Sequence, residues 1–307
     1  MDPISNHPLY QKHNIDSAMS SLWEFYKQRF LSLFVISLVM SLVIQYASTF
    51  ADFKELQSIT DPALMLEEIK GYMTPILIIS LVNLLFTTIL QYYVIYGPLD
   101  SETNILSAAT KSLKYYIPYL IVMILLSFAG AIAIVLGLFV LVVGVFFSIL
   151  YIMTLFLFVL PILMVEGTNI ANTIRRTLSL AHRNFWSNIG WVAVFLIIII
   201  VISVILSGVA LLPFTGSFVK TIINPEDTAN LLDYTTNPLF IILSAVVNAL
   251  TLPLMPIFAA ILYFNGKAKE EHAFSTTHEN PSDESVKVED LYAKPYSEDH
   301  PDNPEKE

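Results

Sequence analysis

Five stretches of the chain, 30–49, 73–96, 117–165, 189–214 and 239–264, contain no Asp, Glu, Lys or Arg. A helix that crosses the hydrocarbon core of a bilayer needs about 20 predominantly apolar residues. The third stretch is about twice that length, and Gly130, Gly137 and Gly144 offer places to turn inside it. The pattern therefore predicts six spanning helices, at 30–49, 73–96, 117–137, 142–164, 189–213 and 239–264. The expected fold class is an all-α polytopic membrane protein.

A second pattern precedes each pair of spans. Ile15, Met19, Trp23 and Tyr26 recur at helical spacing, as do Ile105, Ala109, Leu113 and Tyr116. Ile170, Ile174, Leu178 and Ala181 repeat the same spacing, continued by Phe185. Apolar positions three and four apart line one face of a helix. The unit suggested is an amphipathic interfacial helix followed by a transmembrane hairpin, used three times. Asp16 is a candidate cap for the first helix, and Thr168 or Asn169 for the third. A further short helix is predicted at 62–69 in the first loop.

The third amphipathic segment is the most basic in the body of the chain. Arg175, Arg176, Ser179, His182 and Arg183 fall mostly opposite its apolar face. A basic amphipathic helix between two spans is expected to lie along the membrane surface, with Phe185 and Trp186 as interfacial anchors.

Composition fits this picture. Of 307 residues, 55% are hydrophobic and 14% charged, against about 25% charged in soluble domains. The net charge of −10 belongs mainly to the tail after Asn265, which has twelve acidic residues and five lysines. That tail is poor in large apolar residues and reads as disordered. The expected partition is a flexible segment at 1–14, a six-helix transmembrane domain at 15–265 and a disordered acidic cytoplasmic tail at 266–307. Ten Lys and Arg flank the spans on one side, from Lys12 and Arg29 to Lys267 and Lys269, against Lys54, Lys70 and Lys220 on the other. The positive-inside rule then puts both termini, and the basic helix, in the cytoplasm. The loops around Leu56 and Glu226 read as external.

Candidate chemistry is sparse. There are no cysteines, and the histidines lie outside the spans at spacings that form no metal-ligand pair. No phosphate-binding loop is present, and nothing suggests nucleic acid or a cofactor. The spans contain no ionisable Asp, Glu, Lys, Arg or His, which disfavours a proton-driven transporter. Three polar features remain. Asn83, Thr87, Asn248 and Thr251 are either helix–helix glue or an intramembrane polar cluster. Pro253 and Pro256 predict a kink or break in the last span, static or hinged. Glu166 with Arg175, Arg176, Arg183 and Trp186 is either a charged flank or a contact for anionic phospholipid headgroups.

The stretch FVLPILMVEGTNIANTIRRTLSLAHRNFWSNIG, the closing ILYFNGKAKEEHAF and the order of elements resemble the bacterial glycerophosphoryl diester phosphodiesterase membrane domain family. Pro161, Glu166, Arg176, Phe185, Trp186 and Tyr263 carry the likeness, and Asn265 stands where the family has an acidic residue. The resemblance implies a membrane module without inherited catalysis. The expected function is a non-enzymatic, envelope- or lipid-associated protein of the bacterial inner membrane. A small transporter or lipid-handling protein, or an enzyme acting on phospholipid headgroups, are the alternatives.

Overall fold

The computed structural model describes residues 3–48, 62–100, 103–216 and 237–278. The predicted external loops around Leu56 and Glu226, and the tail beyond His278, lie outside the described residues. Apart from two short 3₁₀ turns, Pro3–Asn6 and Leu212–Phe214, the described elements are α-helices. These are α1 (Ile15–Gln28), α2 (Phe30–Ser48), α3 (Pro62–Tyr96), α4 (Ile105–Leu138) and α5 (Leu141–Val165). They continue with α6 (Ile170–Arg183), α7 (Phe185–Leu211), α8 (Pro238–Thr251) and α9 (Leu254–His278). Six helical stretches are long and apolar enough to cross a membrane, the last made of α8 and α9 together. The chain is an all-α integral membrane protein with six candidate spans.

Span boundaries follow hydropathy, but two departures, and the expected break in span six, have local causes. The second amphipathic segment does not stand apart from its span, because α4 runs unbroken through Pro118. A proline removes one backbone donor, here the one to the Lys114 carbonyl, and spanning helices tolerate that loss. The short helix at 62–69 likewise merges into α3. Span six is broken at Leu252–Pro253. Pro253 cannot continue the ladder of α8, whereas Pro256 sits in the first turn of α9, where its missing N–H had no partner to lose.

The three-unit pattern has a common hydrogen bond at its start. The Oδ1 atom of Asn14 accepts from the Ser17 amide at 2.7 Å. Asn104 does the same for Ser107 at 2.8 Å, and Asn169 for Asn172 at 3.0 Å. Asn14, and not Asp16, is therefore the cap of α1. The buried seam also repeats, at four, eight and eleven positions after each cap. It comprises Ala18, Leu22 and Phe25; Ala108, Ser112 and Tyr115; and Thr173, Thr177 and Leu180. This seam lies one residue before the apolar face read from the sequence, and Leu178 on that face is exposed. Ser112 and Thr173 can be buried because their hydroxyls donate back to Ala109 and Asn169 carbonyls of their own helix. Packing against α4 and α5 thus centres the buried face of α6 on this seam, with Ile170 and Ile174 partly buried beside it and Ala181 buried.

One end of the bundle, called the base below, gathers the start of α2 and the ends of α3 and α5. It also holds α1, α6 and the Tyr263–Gly266 part of α9. Residues 1–14, expected to be flexible, are a correction: among the described ones Ile4, His7, Leu9 and His13 are buried. The His7 ring packs on Phe264 at 4.7 Å between centroids and on Phe25 at 6.0 Å. Ile257–Phe264 of α9 are buried on every side, and Ala259 and Ala260 allow close helix approach. Phe258 stacks on Phe195 of α7 at 4.0 Å. The compact unit ends at Ala268, and a second unit begins at Lys269. Residues 266–278, expected in the disordered tail, are helical. Ala, Lys and Glu are good helix formers, and extending a formed helix is easier than starting one.

Candidate functional site

The base is tied together at three corresponding points. Spans two, four and six reach Gly97, Gly167 and Gly266, and the residues before these glycines are Tyr96, Glu166 and Asn265. Gly167 has a φ of 111°, a left-handed turn that glycine adopts without strain and that ends α5. The Tyr96 hydroxyl donates to the Met164 carbonyl of α5. Glu166 Oε1 accepts from the Tyr263 hydroxyl of α9 at 2.9 Å. Asn265 Oδ1 accepts from the His13 amide at 2.9 Å. His7 Nε2 donates to the Val94 carbonyl of α3 at 3.1 Å, and its Nδ1 accepts from the Leu9 amide at 3.1 Å. The chain of contacts therefore closes on itself through the N-terminal segment. A carbonyl only accepts and an amide only donates, so His7 is the neutral Nε2–H tautomer. Burial holds its pKa down at about 4, against the opposing pull of the Val94 carbonyl and with a smaller push from Arg29.

Of the residues proposed for headgroup contact, Glu166, Arg175 and Arg176 come together. They line a cleft of about 360 Å³ with Asn172 and Ser179. Arg176 Nε lies 3.0 and 2.9 Å from the two oxygens of Glu166. Arg175 is exposed at the cleft rim. Arg183 and Trp186 do not line it. Trp186 is 71% exposed and meets Phe147 and Phe185 edge-on. Asn188, at the start of α7, donates to the Leu180 and Ala181 carbonyls at 3.0 and 3.1 Å. It satisfies two acceptors left open at the end of α6 and fixes the elbow between the helices.

A second feature is a central cavity of about 350 Å³. All six spans reach it, through Met40, Thr87, Tyr119, Met153, Ile199 and Thr251 in chain order. The break in span six forms part of its wall, with Leu252 and Pro256. Of the four residues expected to cluster, Asn83, Thr87 and Thr251 line the cavity. Asn248 does not, and this is a correction. It faces a separate space of about 250 Å³ with Gln45, Ser207 and Ser244, on the side of α8 that packs against α2 and α7.

Two cavity groups were missed as a pair in the sequence. Gln91 is buried and donates from Nε2 to the Pro256 carbonyl at 3.1 Å, bracing the start of α9. Tyr119 is 5% exposed, and its hydroxyl has no hydrogen-bond partner among the described residues. The oxygen is not enclosed by protein and opens onto the cavity, where a ligand acceptor would satisfy it. In the sequence Tyr119 reads as an aromatic at the mouth of a span, and only the tertiary arrangement puts it in one cavity wall with Thr251 and Gln91. Thr87 and Thr251 satisfy their hydroxyls on carbonyls of their own helices, Asn83 and Asn248. Among the described residues no group of acidic or histidine side chains could hold a metal.

No protein-family model, no curated protein and no solved structure matches the chain.

Proposed function

We propose that this is a non-catalytic lipid-handling protein of the bacterial inner membrane, holding part of a neutral amphiphile in its central cavity. The observation that carries the reading is the Tyr119 hydroxyl, which has no hydrogen-bond partner among the described residues and opens onto a cavity that all six spans line. An intramembrane site between repeated units, next to a discontinuous helix, is a known arrangement for solute binding within a bilayer. The wall is mostly apolar, with Asn83, Thr87, Gln91, Tyr119 and Thr251 as its polar groups. That mixture suits a lipid better than an ion or a sugar. The absence of charge from the lining argues against proton coupling, and the scattered histidines argue against catalysis.

The excess of Lys and Arg on the flanks supports a cytoplasmic base. Arg175 beside Asn172 and Ser179 supports contact with anionic phospholipid there, because Arg176 is already matched by Glu166. The likeness to the glycerophosphoryl diester phosphodiesterase membrane domain family belongs to the same proposal, as a membrane module.

The test is retention of lipid by the full chain. After purification and delipidating washes, native mass spectrometry of the parent is expected to show a bound lipid. Met153→Trp, which fills the cavity from α5, is expected to lose it while keeping the parental melting temperature. Equal retention by a folded Met153→Trp variant overturns the reading.

A further inference from the structure

The central cavity has a neighbour on the outside of the bundle. A groove of about 580 Å³ runs between α3 and α4, and among the described residues its walls come from these two spans. Leu77, Leu81 and Leu84 form one side, and Leu120, Ile124 and Phe128 the other. Phe128 is 70% exposed and Leu77 59%. Both helices belong to candidate spans, so the medium against this groove is hydrocarbon. From Leu120 to Ala131 the groove follows α4 for about 16 Å at 1.5 Å per residue. That is about half of a ~30 Å hydrocarbon core, the depth of one acyl chain in one leaflet.

Asn83 and Met123 line both the groove and the cavity. They are the partition between the two spaces. Met123 lies one turn from Tyr119 on the same face of α4. Its unbranched thioether side chain changes rotamer easily, and its displacement joins the groove to the Tyr119 hydroxyl. Neither space is lined by Asp, Glu, Lys, Arg or His. A charged headgroup drawn into them would have no counter-charge, whereas an ester carbonyl would find a donor.

The geometry points to lateral access of an acyl-ester lipid from the bilayer, its chain in the α3–α4 groove and its ester carbonyl reaching the Tyr119 hydroxyl past Met123 and Asn83. The inference rests on the lipid-handling reading of the cavity and names the ligand class and its route.

The full chain in nanodiscs containing a phospholipid with a diazirine on one acyl chain tests both. Photolysis and peptide mapping are expected to label the groove at Leu81 and Ser127 and the cavity at Met153 and Leu157. Ser127→Trp and, independently, Ala131→Trp place a bulky ring in the groove at exposed positions. Each is expected to abolish groove labelling and to slow cavity labelling several-fold. Tyr119→Phe is expected to lower cavity labelling roughly three- to tenfold, the worth of one hydrogen bond, and to leave the groove unchanged. Cavity labelling at the parental rate in both tryptophan variants overturns the route while the cavity reading stands. A labelled groove with an unlabelled cavity in the parent overturns the cavity reading, and the route with it. Groove labelling no stronger than that of the lipid-facing surface around Phe146 indicates annular lipid only and also overturns the route.

Discussion

The Tyr263 hydroxyl donates to Glu166 Oε1 at 2.9 Å and so joins the middle of α9 to the end of α5. Tyr263 is fully buried, and the same carboxylate receives Arg176 Nε. Glu166→Ala removes the acceptor of the buried Tyr263 phenol and the carboxylate that Arg176 Nε meets. The expected loss is about 1–3 kcal/mol of stability. Tyr263→Phe and the double variant complete a cycle, read by thermal unfolding in detergent. Strictly additive losses would mean that the two side chains are not coupled.

Each of the three capping asparagines is expected to contribute similarly. Asn14→Ala, Asn104→Ala and Asn169→Ala should each destabilise by about 1 kcal/mol, and aspartate at the same positions should be nearly neutral. Unfolding midpoints of the six variants check this. One alanine variant with parental stability would show that the three units are not equivalent in energy, whatever their shared geometry.

His7 makes the N-terminal segment sensitive to acid. Its pKa of about 4 in the folded protein lies below the ordinary value of 6.5. The unfolded chain therefore binds a proton more readily between these values. Stability is fully present above pH 6.5 and falls as the pH drops towards 4, by roughly 3 kcal/mol from this group. Protonation of Nδ1 also removes the acceptor of the Leu9 amide. His7→Gln should flatten this part of the stability profile. An equally steep profile in the variant would assign the acid sensitivity to other groups.

Orientation can be read directly because the chain has no cysteine. A single cysteine at Ser58→Cys or Thr228→Cys should react with an impermeant maleimide in intact spheroplasts. Ser179→Cys and Ser282→Cys should react only after lysis. The reverse pattern would place the base outside.

Much of the site was within reach of the sequence once the right residues were compared. Asn precedes the aligned Ile15, Ile105 and Ile170, so the shared cap was there to be read beside the shared spacing. The seam was not legible. Ser112, Thr173 and Thr177 are polar by composition, and they are buried because neighbouring helices cover that face. Likewise His7 and Leu9 sit in a polar segment with two prolines, and only α1, α3 and α9 give them something to pack against.

The number of spans and most of their limits were determined by the sequence alone. In hydrocarbon each residue incurs its own solvation cost, and each helix satisfies its own backbone, so hydropathy can be summed locally. The break in span six was equally local, because Pro253 lacks a donor wherever it is placed. The central cavity was decided by the tertiary structure. Tyr119 and Thr251 are far apart in the chain, and their sharing of one cavity depends on how six apolar helices rotate about their axes. Between helices that are apolar all round, the medium offers little preference for one face. Small residues, caps and shape choose the rotation instead. That choice sent Asn248 to a separate space with Ser207 and left the Tyr119 hydroxyl facing the cavity.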